Sequence, residues 1–178
     1  MAVINNMVVP EVLNNYRCYD LDGNRLIGVT SQVQVAALQL MTAEVSGAGI
    51  GGTYNTPIVG KTQSIQQEIP FKMLYAELTQ FMDHTKQTGV CLRGAMQCRD
   101  NNTGVIKMAQ CRYVVRGNAV SVTPGNLNVG EQMGSSVTFE ALYILFEVDG
   151  KKLIEIDKLS DKFVVNDEDI TAEIRKMC

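Results

Sequence analysis

Between Val105 and Asp157 the chain reads as three consecutive strands, VIKMAQCRYVVRGNAVSV, SSVTFEALYILFEV and KKLIEID. TPGNLNVGEQMG joins the first pair and Asp149-Gly150 the second. Asp-Gly between apolar runs is a strong hairpin signal, because both central residues of a type I′ turn need φ > 0. The first two strands are unusually long. Lys107 to Val122 would span roughly 50 Å at about 3.3 Å per residue, where ordinary strands have about five or six residues. One small domain does not cover strands of that length, so they call for partners outside it.

At 178 residues the chain is long enough for a substantial core and is expected to be one domain over 1–178. A net charge of -3 argues against clamping nucleic-acid phosphates with basic residues. The absence of Trp leaves little for a base-stacking platform. No apolar run approaches the ~18 residues of a membrane span, so no membrane partner is expected. The start, MAVINNMVVP, lacks the basic and apolar regions of a secretion signal, and the expectation is a protein made and kept in the cytosol. Cys18, Cys91, Cys98, Cys111 and Cys178 form no C-x-x-C pair and read as free thiols packed as small hydrophobes, with no metal or other cofactor.

Residues 1–15, interrupted by Pro10, read as an extended arm. Tyr16 to Val29 reads as a short hairpin about the turn at Asp20–Asn24. DLDGN is not a calcium loop: the twelfth position from Asp20 is Ser31 and the sixth is Arg25, where an EF-hand needs Glu and Gly. Ser31 to Val45 reads as a strand whose apolar phase flips after Ala37, the mark of a bulge or a change of environment. Gly47 to Gly60, with five Gly among fourteen residues, reads as a hairpin tip. No Lys-Ser/Thr follows its glycines, so it is no phosphate loop. Val59 to Ile69 is the return strand; its face of Gly60, Thr62, Ser64, Gln66 and Glu68 is small and wettable throughout.

Pro70 to Lys86 reads as the main helix, with Pro at N1 and Phe71, Leu74, Tyr75, Leu78, Phe81 and Met82 in one stripe. Gly89 is its C-terminal candidate. His84, the one histidine, falls off that stripe near the helix end. Val90–Arg99 and the strand from Val105 form a hairpin about Asp100–Gly104. Arg93, Arg99, Lys107, Arg112 and Arg116 gather there in an otherwise acidic chain; a basic stripe can be a solvated face or a contact surface. Arg112 and Arg116 oppose a face of Cys111, Tyr113, Val115 and Ala119 that reads as buried, which makes the two arginines inter-subunit candidates. Residues 158–178 form a tail ending in a short helix capped by Asn166 or Asp167. Parity on the strand from Ser135 puts Ser136, Thr138 and Glu140 on a wet face, and Val137, Phe139, Ala141 and Tyr143 on the packed one.

Arg116-Gly117, Pro124-Gly125, Gly130-Glu131 and VDGKKLIEID (Val148 to Asp157) follow one another in order. This line resembles the C-terminal half of the major tail tube proteins of contractile phage tails and of R-type bacteriocins. A shorter match at GAGI places Gly47, Gly49 and Ile50 among the inter-subunit residues; the last residues depart from the pattern. The resemblance implies an α+β, mainly β fold: a small sandwich or barrel with one packed helix, whose long hairpins form a large inner barrel on assembly. It implies six copies per ring, rings stacked into a tube, and a lumen passing DNA or other cargo, with Thr62, Ser64, Gln66, Ser136, Thr138 and Glu140 facing it. It further implies a surrounding sheath protein, baseplate and tape-measure proteins, and a virion tail or bacteriocin particle assembled in the bacterial host cytoplasm.

Two readings of other classes compete. A monomeric small β-barrel holding a ligand would want an apolar interior with a few convergent polar groups, and does not explain strands this long. A cysteine enzyme using Cys111 or Cys91 with His84 lacks an orienting acid and a nucleophile turn.

Overall fold

The computed structural model describes residues 8–178; the first seven residues of the expected arm lie outside them. The long strands are present as read. β6 (Thr88–Asp100), β7 (Ile106–Thr123), β8 (Ser135–Val148) and β9 (Lys151–Asp157) are consecutive antiparallel neighbours. Asp149 and Gly150 join β8 to β9 with φ of 49° and 83°, as the Asp-Gly turn requires.

The rest of the sheet extends to both sides. β1 (Val8–Asp20) pairs with β6 along its whole length, and β2 (Arg25–Leu26) pairs with the end of β1. The expected arm is therefore strand from Val8 onward. Pro10 is accommodated where the register shifts between Pro10 and Val12, since Pro cannot donate to a regular ladder. On the far side, β10 (Lys162–Val165) and β11 (Glu168–Asp169) follow β9. Asn166 and Asp167, expected to cap a helix, instead make the β10–β11 turn with φ of 52° and 67°. The last helix, in the tail, runs Ala172–Met177 and begins after Thr171.

The strand expected from Val59 to Ile69 is split. β4 (Tyr54–Thr62) pairs only with β3 (Leu40–Val45), forming a separate two-stranded hairpin; β5 (Gln66–Phe71) joins the main sheet beside β8. Residues 31–39, read as strand, lie outside the regular ladders apart from local bonds. Their backbone is held by a side chain. The Gln67 amide, 0% exposed, donates from Nε2 to Gln34 O and Glu68 O at 2.8 and 2.7 Å. Its Oε1 accepts from Ala36 N and from Tyr113 Oη, both at 2.8 Å. A buried amide is tolerated where its donors and acceptors are matched, as here.

The expected long helix contracts to Ala76–Thr79 and a 3₁₀ turn at Gln80–Met82. Pro70 and Phe71 belong to β5, opposite Ser136 and Ser135, and Phe71 is fully buried. Pairing and burial there outweigh a helix propensity worth only tenths of a kcal/mol per residue. Leu78 and Phe81 still reach the core, with Phe81 edge-on to Phe139 at 5.3 Å, while Met82 is exposed. Gly89 ends no helix. It lies in β6, where a Cβ would meet Val115 O at 2.1 Å.

The main core, built around Ile69, Phe71, Val115, Val137, Phe139 and Ile156, is enclosed by residues of every long strand. β7 and β8 each carry one extra residue. Register shifts leave Leu142 and Val120 unpaired in the β7–β8 ladder. Ala141 therefore faces the core, but so does Ile144, while Tyr143 turns to the opposite face. This corrects the face expected for Tyr143: an extra residue reverses a period-2 pattern beyond it.

Replacing Gln67 by Leu strands Gln34 O, Ala36 N and the Tyr113 hydroxyl. We expect a loss of about 2 kcal/mol or more in urea unfolding, since each unmatched buried group costs about 1–3 kcal/mol. Amide exchange should accelerate first in residues 31–39; unchanged protection there would show that the segment is held by other contacts.

Candidate assembly surfaces

One sheet face is polar. Across β5, β8 and β7 the directly opposed residues are Gln66–Glu140–Asn118, then Glu68–Thr138–Ser121, then Pro70–Ser136–Thr123. The structure thus brings together Gln66, Ser136, Thr138 and Glu140. Ser64 joins them, its hydroxyl donating to Glu140 Oε2 at 2.7 Å, and Lys158 Nζ lies 3.6 Å from Glu140 Oε1. Glu140 and Thr138 are half-buried and Ser136 is 9% exposed. Thr62 stands apart, paired with Leu40 in the two-stranded hairpin. Asn118, Ser121 and Thr123 complete this face and were not singled out from sequence. The unpaired Val120 interrupts their alternation, so period-2 reading along β7 misassigns them.

The edges beside this face are open. The β6–β7 ladder stops at Thr88–Gly117, leaving β7 from Asn118 to Thr123 with no strand on that side among the described residues. β3 likewise pairs with β4 and with no other strand among the described residues. A close approach marks where β7 loses β6 and continues beside β8: a Cβ on Gly117 would lie 1.9 Å from Glu140 O. Gly47, Gly49 and Ile50 sit in the exposed tip between β3 and β4, with Ile50 N donating to Gly47 O at 3.1 Å. At the hairpin's root, a Cβ on Gly60 would meet Thr171 Cγ2 at 2.1 Å, and Lys61 pairs with Asp161 at 2.6 Å. The C-terminal tail therefore braces the hairpin.

Arg112 and Arg116 lie on the outer face of the sheet, opposite the core residues Tyr113 and Val115 as expected. Arg112 is directly opposite both Arg93 and Glu147, and Arg93 is directly opposite Arg17. Arg112 Nη1 is 3.9 Å from Glu147 Oε1, and its buried Nε has no hydrogen-bond partner. Arg93 stacks over Tyr19 at 5.1 Å and Arg116 over Tyr143 at 4.8 Å, contacts that hold a guanidinium without neutralising it. The apolar strip of Cys91, Val114 and Leu145 runs between these residues.

Nearby Glu155 is 5% exposed. Lys152 Nζ and Lys162 Nζ reach its Oε2 at 2.8 and 2.9 Å, and Tyr143 Oη donates to Oε1 at 2.9 Å. Burial works to raise its pKa, but the hydrogen bonds from Lys152, Lys162 and Tyr143 outweigh it and bring the carboxyl to about 2. Burial, followed by the bond to Glu155, pushes the Tyr143 phenol up to about 12.

The cysteines are free; Cys18, Cys91 and Cys98 are buried, Cys111 half-buried and Cys178 exposed. Burial pushes the Cys18 thiol up to about 12 and raises those of Cys98 and Cys111, which disfavours the thiolate that nucleophilic or metal chemistry uses. His84 is exposed in the turn after Met82. Among the described residues no cluster of His, Cys, Asp and Glu could hold a metal ion, and no helix is long and apolar enough to cross a membrane. An open apolar groove of about 260 Å³ runs past Leu13, Tyr16, Val33, Val35 and Phe146. The core residues Leu92 and Tyr113 form part of its wall, and the groove is open to solvent, unlike the enclosed interior a ligand-holding barrel needs.

Fold and surfaces together define a mainly β protein with open strand edges and a polar sheet face. The chain belongs to the family of phage tail tube protein FII, whose model matches residues 10–177; this is a family of structural tail tube proteins and not one of enzymes. Comparison with curated proteins gave no match. Among solved structures, the chain is similar to one described as an extracellular contractile injection system, PVC sheath/tube terminator in extended state. That likeness has a TM-score of 0.54 at 11% identity and covers 78% of this chain and 96% of the other; at such identity it bears on the fold.

The Glu155 carboxyl titrates well below its ordinary 4.5, so its contribution to stability is complete above about pH 4.5 and is lost as pH falls toward 2. In urea unfolding series over that window, the stability gap between wild type and Glu155→Gln should close. A gap that stays constant with pH would mean that the carboxylate's charge is not what the site holds.

Proposed function

We propose that this tail tube subunit, as a single domain, closes into six-membered rings that stack into a hollow tube with a hydrophilic lumen. One observation carries the reading: β7 from Asn118 to Thr123 and β3 are open edges on opposite sides of β8's neighbourhood. β3, β4 with β5, β8 and β7 supply four inner strands, and the free β7 edge of one copy pairs with β3 of the next. Exposed long edges are hazards that closure removes. Six such sets give about 24 strands, beyond the 16–18 that already enclose a water-filled channel.

In this ring the polar face of Ser64, Gln66, Ser136, Thr138 and Glu140, with Thr62 at the hairpin's root, lines the lumen. Asn118, Ser121 and Thr123 extend it. Few cations point from that face, which suits passage of DNA or other cargo without tight phosphate contacts. Gly47, Gly49 and Ile50 contact the adjoining ring, and Arg112 and Arg116 contact a neighbouring subunit. A sheath protein surrounds the tube, and baseplate and tape-measure proteins meet it in a virion tail or bacteriocin particle put together in the bacterial cytoplasm. The PVC neighbour's description as a sheath/tube terminator supports that setting.

Negative-stain imaging of the purified protein should show rings or tubes; a single sharp monomer peak on size exclusion with no particles would overturn the proposal. Thr138→Val should assemble as wild type. Phe139→Ser should not assemble, because it empties a fully buried aromatic site at a cost of about 3–5 kcal/mol and buries a hydroxyl. Failure of Thr138→Val alone would take Thr138 out of the lumen wall.

A further inference from the structure

We infer that each copy docks its β1–β2 edge against the C-terminal edge of the next copy, arginines of the first meeting carboxylates of the second. This rests on the ring reading above. The sheet runs β11-β10-β9-β8-β7-β6-β1-β2, with β5 beside β8 on the β9 side. β4 leads into β5, so β3, β4, β5 and β9 to β11 share one flank of β8, while β7, β6, β1 and β2 share the other. A rotation that sets β3 of one copy against β7 of its neighbour carries the outer edges with it, bringing β11 and the last helix toward the neighbour's β1 and β2.

The two edges carry opposite charge. Arg17, Arg25 and Arg93 are exposed and in no ion pair among the described residues, and the β1–β2 turn offers one exposed carboxylate, Asp22. Arg17 and Arg93 are directly opposite one another, an arrangement that is unfavourable for like charges on adjacent strands. It gains an explanation if anions arrive from outside. At the other edge, Asp167, Glu168 and Glu173 are exposed and likewise outside any ion pair, with Lys176 as an exposed cation. Asp169 does not contribute, because Arg175 holds it at 2.6 Å.

Apolar surface accompanies the charge on both sides. Ile27 is 69% exposed, and on the opposing edge Ile170 and Ile174 are exposed. A contact between unlike patches of identical chains is heterologous, and closes into a ring when its rotation permits. Charges of this kind set register and encounter rate more than final affinity.

The test is a charge swap read as the protein concentration at which rings or tubes appear in sedimentation at 0.15 M salt, about the physiological ionic strength. Arg17→Glu with Arg93→Glu should raise that concentration about tenfold or more, and so should Glu168→Lys with Glu173→Lys. The four changes together should restore assembly toward wild type, a rescue that misfolding cannot mimic; far-ultraviolet circular dichroism of each variant checks the fold separately. Wild-type rings with swaps that have no effect, or a fourfold variant no better than either double variant, overturn this docking and leave the ring reading standing. Absence of rings in the wild type overturns both.

Discussion

The pairing of β7 with β8 is the constraint on which the remaining structure depends. It is continuous from Cys111–Val148 to Thr123–Ser136, apart from two extra residues, and the other strands of the main sheet are laid out to either side of it. On one flank β8 bonds first to β5 and then to β9; on the other, β7 bonds to β6 and then to no strand among the described residues. Near the points where β8 changes neighbour and β7 loses one, both strands reverse the faces they present. Leu142 and Val120 accomplish this locally, each by standing outside the ladder, as bulges do when they re-aim side chains. Gly117 lets the backbones approach at the same place.

That arrangement separates packing from interaction. Phe139, Val137 and Ala141 fill the core from the part of β8 beside β5, and Ile144 continues it beyond the extra residue. The polar side of the same strand is left to Thr138 and Glu140, and beyond the bulge to Tyr143 and Leu145. One strand thus contributes to the core, to a wettable face and to an outer face that carries arginines. The split suits a subunit whose outward surfaces are finished by other chains.

Polar groups within the subunit are treated in two ways. Gln67 and Glu155 are buried and matched with partners, the first by an amide network and the second by two ammonium groups and a phenol. They hold segments 31–39 and the β8–β9–β10 region in place. Arg17 and Arg25 are exposed and in no ion pair among the described residues, and Arg93 is exposed with the Tyr19 ring beneath it. Burial without partners is costly and exposure without partners is cheap; the charges of Arg17 and Arg25 lie where water, or another molecule, can reach them, whereas Arg112 Nε is buried without a hydrogen-bond partner.

Much of this was legible in the chain itself. The Asp-Gly turn, the length of β7 and β8, the hairpin about Asp100–Gly104 and the alternation of Val137, Phe139 and Ala141 are local, and follow from residue type and period. The polar face of β8 followed from the same parity, and the tail tube family from four short motifs in order. What local rules could not supply was competition between partners. Phe71 and Leu74 have helical spacing, yet the edge of β8 claims Phe71 for a strand. Residues 31–39 alternate like a strand, yet one side chain, Gln67, takes their backbone bonds. Gly89 looks like a helix terminator until Val115 O is seen beside it. Tyr143 keeps Ala141's parity until Leu142 is counted out. Residue types and their spacing determined which segments could be strands and which faces could be wet; tertiary structure decided which edges were satisfied, because hydrogen bonds and burial between distant segments outweigh propensities of a few tenths of a kcal/mol per residue.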